Sequence, residues 1–318
     1  MSFSSDVKKE LANIECDECC LKAELYAIIR FKSELKLSFH SLGVSVSTTL
    51  NVVARRIVYL FKRVYDIKLD IMAYKQNKLD YKTVFVLELN ENAIMVLKDL
   101  KILNEDGSFN NNLNDSLYEN ECCKSSIVRG AFLVKGSINN PSKSNYHLEI
   151  TVSEEEDANF LCGLINSVYI HPRIIKREKG YVIYLKKSEQ IGDFLKFIGA
   201  ITSLFNFEDT RIKRDYNNYV NRIINCELAN QDKVLSNAQK QLDNIEYIKK
   251  YYGFVNLTPR LMDAVVLRTK YPEYSLQELS DVSEETIERY ISKSGLSHCY
   301  KDLEKIVSDI QNKKEVNK

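Results

Sequence analysis

Two Cys-Cys pairs, Cys19-Cys20 and Cys122-Cys123, head stretches that repeat each other at a constant offset of 103 residues. CCLKAELYAIIRFKSEL begins at Cys19 and CCKSSIVRGAFLVKGSI at Cys122. Ala27 therefore aligns with Gly130, Lys32 with Lys135, Ser33 with Gly136 and Leu35 with Ile138. Each copy predicts an apolar helix with a small residue midway, ending in small or polar residues before a strand-like run. A chain that carries the same lead helix twice is constrained to fold as two similar halves.

The segments downstream of the two lead helices correspond as well. After the first come KLSFH, VSVSTTLNVV, the helical ARRIVYLFKRVY, DIKLDIMAY, a turn at QNKLD, KTVFVLEL and a helix over 92–103. After the second come YHLEITVS, the helical EDANFLCGLINSVY, PRIIKREKG, YVIYLKK and a helix over 188–205. Alternation and β-branched content mark the strands, and apolar residues at i, i+3 and i+4 mark the helices. Each half reads αββαββα. Residues 104–121 hold six Asn and no apolar period, which predicts a linker between halves 1–103 and 122–205.

This duplication resembles the LAGLIDADG homing-endonuclease fold, in which two lead helices pack side by side at a pseudo-two-fold and the strands form a saddle for duplex DNA. The expected class is α+β. Ala27 and Gly130 would permit the close helix approach. In nucleases of this fold the last acid of each lead helix holds the catalytic metals. Here both positions are lysine, Lys32 and Lys135, and residues 122–138 contain no Asp or Glu at all. An ammonium repels Mg²⁺, so no catalytic residue is expected.

The other cysteines are Cys16, Cys162, Cys226 and Cys299. Cys16-x-x-Cys19-Cys20 could open a zinc site with Cys122 and Cys123 as distant partners. The four histidines, however, are scattered without ligand spacing. Small buried thiols at helix starts are the expectation, with no metal and no cofactor. The N-terminus shows no apolar signal core, and no apolar run reaches the ~18–20 residues of a membrane span. A cytoplasmic, nucleoid-associated protein is expected, with no membrane partner. Lys+Arg is 45 against Asp+Glu 44, which excludes a globally basic nucleic-acid binder and leaves only local patches. Those available in the repeat region are Arg55-Arg56, Lys62-Arg63 and Lys176-Arg177.

From Asn206 to Tyr252 there is neither Gly nor Pro, and apolar residues recur at helical spacing. Residues 206–253 are expected to be a helical linker. From 254 to 318, Thr258-Pro259 opens one helix, Ser275 caps SLQELSDV, Ser283 caps EETIERYI, and LSHCYKDLEKIVSDI comes after SKSG. Short helices with polar turns suit a helix-turn-helix DNA-binding module. A small helical bundle used for dimerisation fits the same pattern.

MSFSSDVKKEL, the two Cys-Cys helices, RGAFLVKGSINNPSKSNYHLEI, VNRIINCELAN and ISKSGLSH together resemble the WhiA family, in order and over almost the whole chain. That resemblance implies a Gram-positive transcriptional regulator linked to sporulation, cell division and chromosome segregation. It also implies a degenerate, non-enzymatic LAGLIDADG-like domain (1–205) and a helix-turn-helix after it. The arginine-rich stretch usual after Ser-Lys-Ser-Gly is altered: Ser297 stands for an Asn, Cys299 for an Arg, and Asp302 for a basic residue. Of EETIERYI and LSHCYKDLEKI, the second is favoured for the DNA groove. Lys293, Ser294, Ser297, His298 and Lys301 cluster at its N-terminal end, where recognition helices make their contacts. Double-stranded DNA is the expected partner, with a protein partner in transcription as a further one. The alternatives are an interaction protein with weakened DNA binding and an active homing-type nuclease.

Overall fold

A computed structural model describes residues 2–38, 41–75, 83–110, 120–143 and 145–316. The turn at residues 76–80 and positions 111–119 of the linker lie outside the described residues. Two compact units divide at Asp215/Tyr216.

In the first unit, α1 (Phe3–Leu11) precedes two copies of one motif. The first copy runs α2 (Glu18–Lys32), β1 (Glu34–Ser38), β2 (Ser41–Thr48), α3 (Asn51–Tyr65), β3 (Asp70–Lys75), β4 (Thr83–Leu89) and α4 (Ala93–Asp99). The second runs α5 (Glu121–Lys135), β5 (Gly136–Ile138), β6 (Leu148–Val152), α6 (Glu155–Asn166), β7 (Arg173–Arg177), β8 (Gly180–Leu185) and α7 (Ser188–Ile198). Both are αββαββα. Their antiparallel sheets have the same order, β1-β2-β4-β3 and β5-β6-β8-β7.

The elements arise from their sequences. In α3, Val53, Ala54, Ile57, Leu60 and Phe61 lie at helical spacing and are all buried. Asp66 in the left-handed region (φ 55°) ends it, its N–H donating to Lys62 O. The lead helices α2 and α5 are buried along most of their length. Arg30 of α2 reaches α6 of the other half, its Nε 3.0 Å from Asp157 Oδ1.

The helix expected over 188–205 is interrupted. Gly199 adopts φ 89°, and the Ala200 N–H donates to Leu195 O at 2.8 Å, a closing turn that ends α7. A new helix, α8 (Ile201–Tyr251), then begins, and the helical segment expected over 206–253 lies almost wholly within this one continuous 51-residue helix. Its free N–H groups are capped from a distance. Glu10 on α1 accepts from the N–H of Thr202 (2.6 Å) and of Ser203 (2.8 Å). A carboxylate at a helix N-terminus also opposes the helix dipole.

In the second unit, α9 (Pro259–Lys270), α10 (Leu276–Asp281), α11 (Ser283–Ile287) and α12 (Lys293–Val316) surround a small core. Ile245, Ile248, Ala264, Leu267, Leu279, Leu296, Cys299 and Leu303 meet there. Ser275 and Glu278 form a complete capping box on α10. Thr258 has the extended N-cap backbone but makes no side-chain cap. Ser283 does not cap EETIERYI: its buried hydroxyl donates to Ser280 O and accepts from the Ile291 N–H. Glu288 at φ 55° ends α11 after five residues.

Candidate nucleic-acid interface

In the second unit the expected DNA-binding residues fall on one element. α12 starts at Lys293, earlier than LSHCYKDLEKI suggests, because Ser292 Oγ accepts from the Gly295 N–H at 3.2 Å and opens the helix. Leu296, Cys299, Tyr300, Leu303 and Val307 form its buried seam. Lys293, Ser294, His298 and Lys301 are exposed and Ser297 is half-buried, all in the first two and a half turns. Lys293, Ser297 and Lys301 line a groove shared with Lys240 and Gln241 of α8 and Gln277 of α10. These last three are polar partners that sequence reading missed, since nothing local marks residues brought together by packing.

α11 has only five residues, whereas α12 has 24 and carries all five expected contact residues. Cys299 sits in the buried seam, its Sγ 3.9 Å from Arg260 O. The Cys at that position therefore leaves the exposed face of α12 as it was. Asp302 is exposed and 3.8 Å from Lys305. Beneath α12, Arg268 is fully buried. Its Nε donates to Gln241 Oε1 (3.0 Å) and its Nη1 to Tyr274 O (2.6 Å), and it stacks on the Tyr300 ring. Burial holds this guanidinium below its ordinary pKa and pushes the Tyr300 hydroxyl up to about 12. This network ties α8, α9 and α12 together and braces α12 from below.

In the first unit, Lys32 and Lys135 end α2 and α5, both partly buried. Burial and the Lys32 ammonium hold Lys135 below the ordinary lysine range. Lys8 and Lys32 line one pocket with Ser47, Thr48 and Tyr74, and burial brings Lys8 down to about 8. Among the described residues no cluster of acids or histidines gathers at these helix ends. Two lysine side chains stand at these helix ends instead.

At the crossing of α2 and α5, Ala27 Cβ would stand 3.0 Å from a Cβ built on Gly130. One turn away lies buried Glu24, held by Arg56 (Nε–Oε1 2.8 Å, Nη2–Oε2 2.9 Å) and by Arg129 (Nε–Oε2 3.0 Å). Arg56 is thereby removed from the basic patch read at Arg55-Arg56. Cys16, 3.6 Å from Arg129 Nη2, belongs to this network. At the other end of the lead helices, the Sγ atoms of Cys19, Cys20, Cys122 and Cys123 all lie within 4.8 Å of one another.

The fold defines a protein with a duplicated LAGLIDADG-like unit, lysine at both lead-helix ends, and a terminal helix-turn-helix module. Three family models match it in that order: the WhiA N-terminal LAGLIDADG-like domain over residues 18–103, the WhiA LAGLIDADG-like domain over 124–217, and the WhiA C-terminal HTH domain over 220–307. The chain belongs to the WhiA family. It is 41% identical over 311 residues to a probable cell division protein WhiA of Bacillus velezensis, covering 98% of both chains. With its counterpart in Bacillus subtilis (strain 168) the identity is 40% over 311 residues, again covering 98% of both. The crystal structure of full-length DUF199/WhiA from Thermatoga maritima has the same fold, with a TM-score of 0.56 at 23% identity, covering 98% of this chain and 99% of that one.

Proposed function

We propose that this chain is a non-enzymatic transcriptional regulator of cell division, chromosome segregation or sporulation that reads double-stranded DNA with α12 and works at the nucleoid. The observation that carries the reading is the two-sided character of α12. Leu296, Cys299, Leu303 and Val307 anchor it, while Lys293, Ser294, His298 and Lys301 are exposed and Ser297 half-exposed at its N-terminal end. Docked in the major groove, such a helix sets lysines against phosphates and short polar side chains against base edges. In the repeat domain, Lys8, Lys32 and Lys135 suit backbone contacts or a protein partner rather than metal-assisted hydrolysis. β7, with exposed Arg173, Lys176 and Arg177, adds cations on the second sheet.

The test compares full-length protein with Ser297→Ala and with Lys293→Ala/Lys301→Ala on genomic fragments at several salt concentrations. Loss of two phosphate contacts should weaken binding to all sequences alike and lower the salt slope by about 2. Loss of a base contact should relax preference at one position, worth ~1–3 kcal/mol. Unchanged binding in both variants would remove α12 as the reader and favour an interaction protein. Metal-dependent cutting of plasmid DNA that survives removal of trace nuclease would overturn the non-enzymatic reading.

A further inference from the structure

The fold does something with the two Cys-Cys pairs that neither pair does alone. Cys19 and Cys20 occupy the second and third positions of α2, and Cys122 and Cys123 the same positions of α5. Packing of the lead helices brings the two N-termini together, so four sulfurs from sites 103 residues apart lie within 4.8 Å of one another. We propose that Cys19, Cys20, Cys122 and Cys123 form a four-thiolate site for a closed-shell thiophilic cation, with Zn²⁺ as the occupant the geometry fits.

The sulfur spacing is already close to that of a metal centre. A tetrahedral Zn–S₄ centre with bonds of ~2.3 Å has sulfur–sulfur edges of ~3.8 Å. The pairs stand at 3.9 Å (Cys19–Cys20) and 4.0 Å (Cys122–Cys123). Side-chain adjustment of less than about 1 Å closes the remaining edges to that value. Four sulfur ligands select soft or borderline cations over Mg²⁺ or Ca²⁺. Two 15-residue helices point their positive ends at the cluster, while burial pushes the Cys20 and Cys123 thiols up. Access and shielding are both present: Cys20 and Cys123 are buried as expected, but Cys19 and Cys122, expected to be buried, are exposed because they sit on the outer side of the first helical turn. A disulfide within either pair is disfavoured, since neighbouring Cα atoms lie ~3.8 Å apart, short of the usual ~4.4–6.8 Å. Binding moves no electrons. Each sulfur that bonds to the metal gives up its proton to solvent.

The site would staple the two halves at the start of their lead helices, adding a coordinate cross-link to the Ala27–Gly130 contact. It is independent of DNA reading by α12.

The experiment uses the full chain, stripped with a chelator under a non-coordinating reductant and titrated with Co²⁺, then Zn²⁺. Expected are one equivalent of Co²⁺ showing the intense visible bands of a tetrahedral thiolate centre, their loss on adding Zn²⁺, and a higher Tm with Zn²⁺. A parallel Cu⁺ titration against a competing chelator decides which of the two thiophilic cations is held. Cys19→Ser/Cys122→Ser, which changes only exposed thiols, should abolish the cobalt bands while keeping the circular dichroism of the parent. Cys162→Ser/Cys226→Ser should leave them intact. The proposal fails if neither Co²⁺ nor Cu⁺ binds stoichiometrically, or if the Cys19/Cys122 variant binds like the parent. It also fails if, once the reductant is removed, dissolved O₂ takes two electrons and two protons from the metal-free protein to close a Cys19–Cys122 or Cys20–Cys123 disulfide, located by peptide mass mapping, that excludes metal.

Discussion

Gly130 lies so close to Glu24 that a Cβ built on it would stand 2.5 Å from the Glu24 carbonyl oxygen. The obstacle is backbone, which cannot swing aside as a side chain can, so the two lead helices would have to part. Gly130→Ala should therefore lower unfolding stability by about 1–3 kcal/mol, although alanine favours an isolated helix by about 1 kcal/mol. Urea unfolding monitored by circular dichroism measures it. A neutral or stabilising result would mean the helices do not cross at this glycine.

Glu24 itself carries two arginines in a fully buried setting. Glu24→Ala would leave the guanidiniums of Arg56 and Arg129 without their counter-charge, and breaking such a buried pair costs about 3–5 kcal/mol. Arg56→Met, which leaves Arg129 on the carboxylate, should cost less. Equal losses in the two variants, read by the same unfolding experiment, would show that the second arginine adds nothing.

Lys8 is set apart by its pH dependence. Its ordinary value of 10.5 falls to about 8 in the folded chain because burial disfavours the ammonium. Between these values the unfolded chain holds more protons, so this group's contribution to stability rises with pH over that window. Below pH 8 the penalty is present in full. Lys8→Met should stabilise the protein by about 1–3 kcal/mol at pH 7, with the gain shrinking toward pH 10.5. A gain that stays flat from pH 7 to 10.5 would mean that Lys8 titrates normally.

A chain ending at Asp215 keeps the whole first unit and its core. It should lose sequence preference, keeping at most salt-sensitive, non-specific binding. A cut near Tyr252 is a worse choice, since it would bare Ile245 and Ile248, which belong to the terminal core. Retention of the parent's site preference by the Asp215 truncation, in a competition against random DNA, would make the repeat saddle the reader.

Local pattern alone carried much of this protein. The constant offset between the Cys-Cys helices encodes the duplication, apolar periodicity encodes each αββαββα unit, and lysine at 32 and 135 ends both lead helices. Ser275 and Glu278 announce their capping box in the sequence. These features are legible because helix and strand periods, caps and repeats depend on residues within a few positions of one another.

Tertiary structure decided whatever depends on partners distant in the chain. Arg55 and Arg56 read alike, yet Arg56 sinks onto Glu24 while Arg55 stays exposed. Gly199 could have sat within a helix, but its left-handed backbone splits 188–205 in two, and Glu10, nearly two hundred residues earlier, caps the start of α8. Two cysteine pairs 103 residues apart in sequence meet because their helices pack side by side at the glycine contact. A side chain's type sets what it can bond to, but the direction in which its element is buried sets what it meets, and that direction is fixed only when the two halves close on each other.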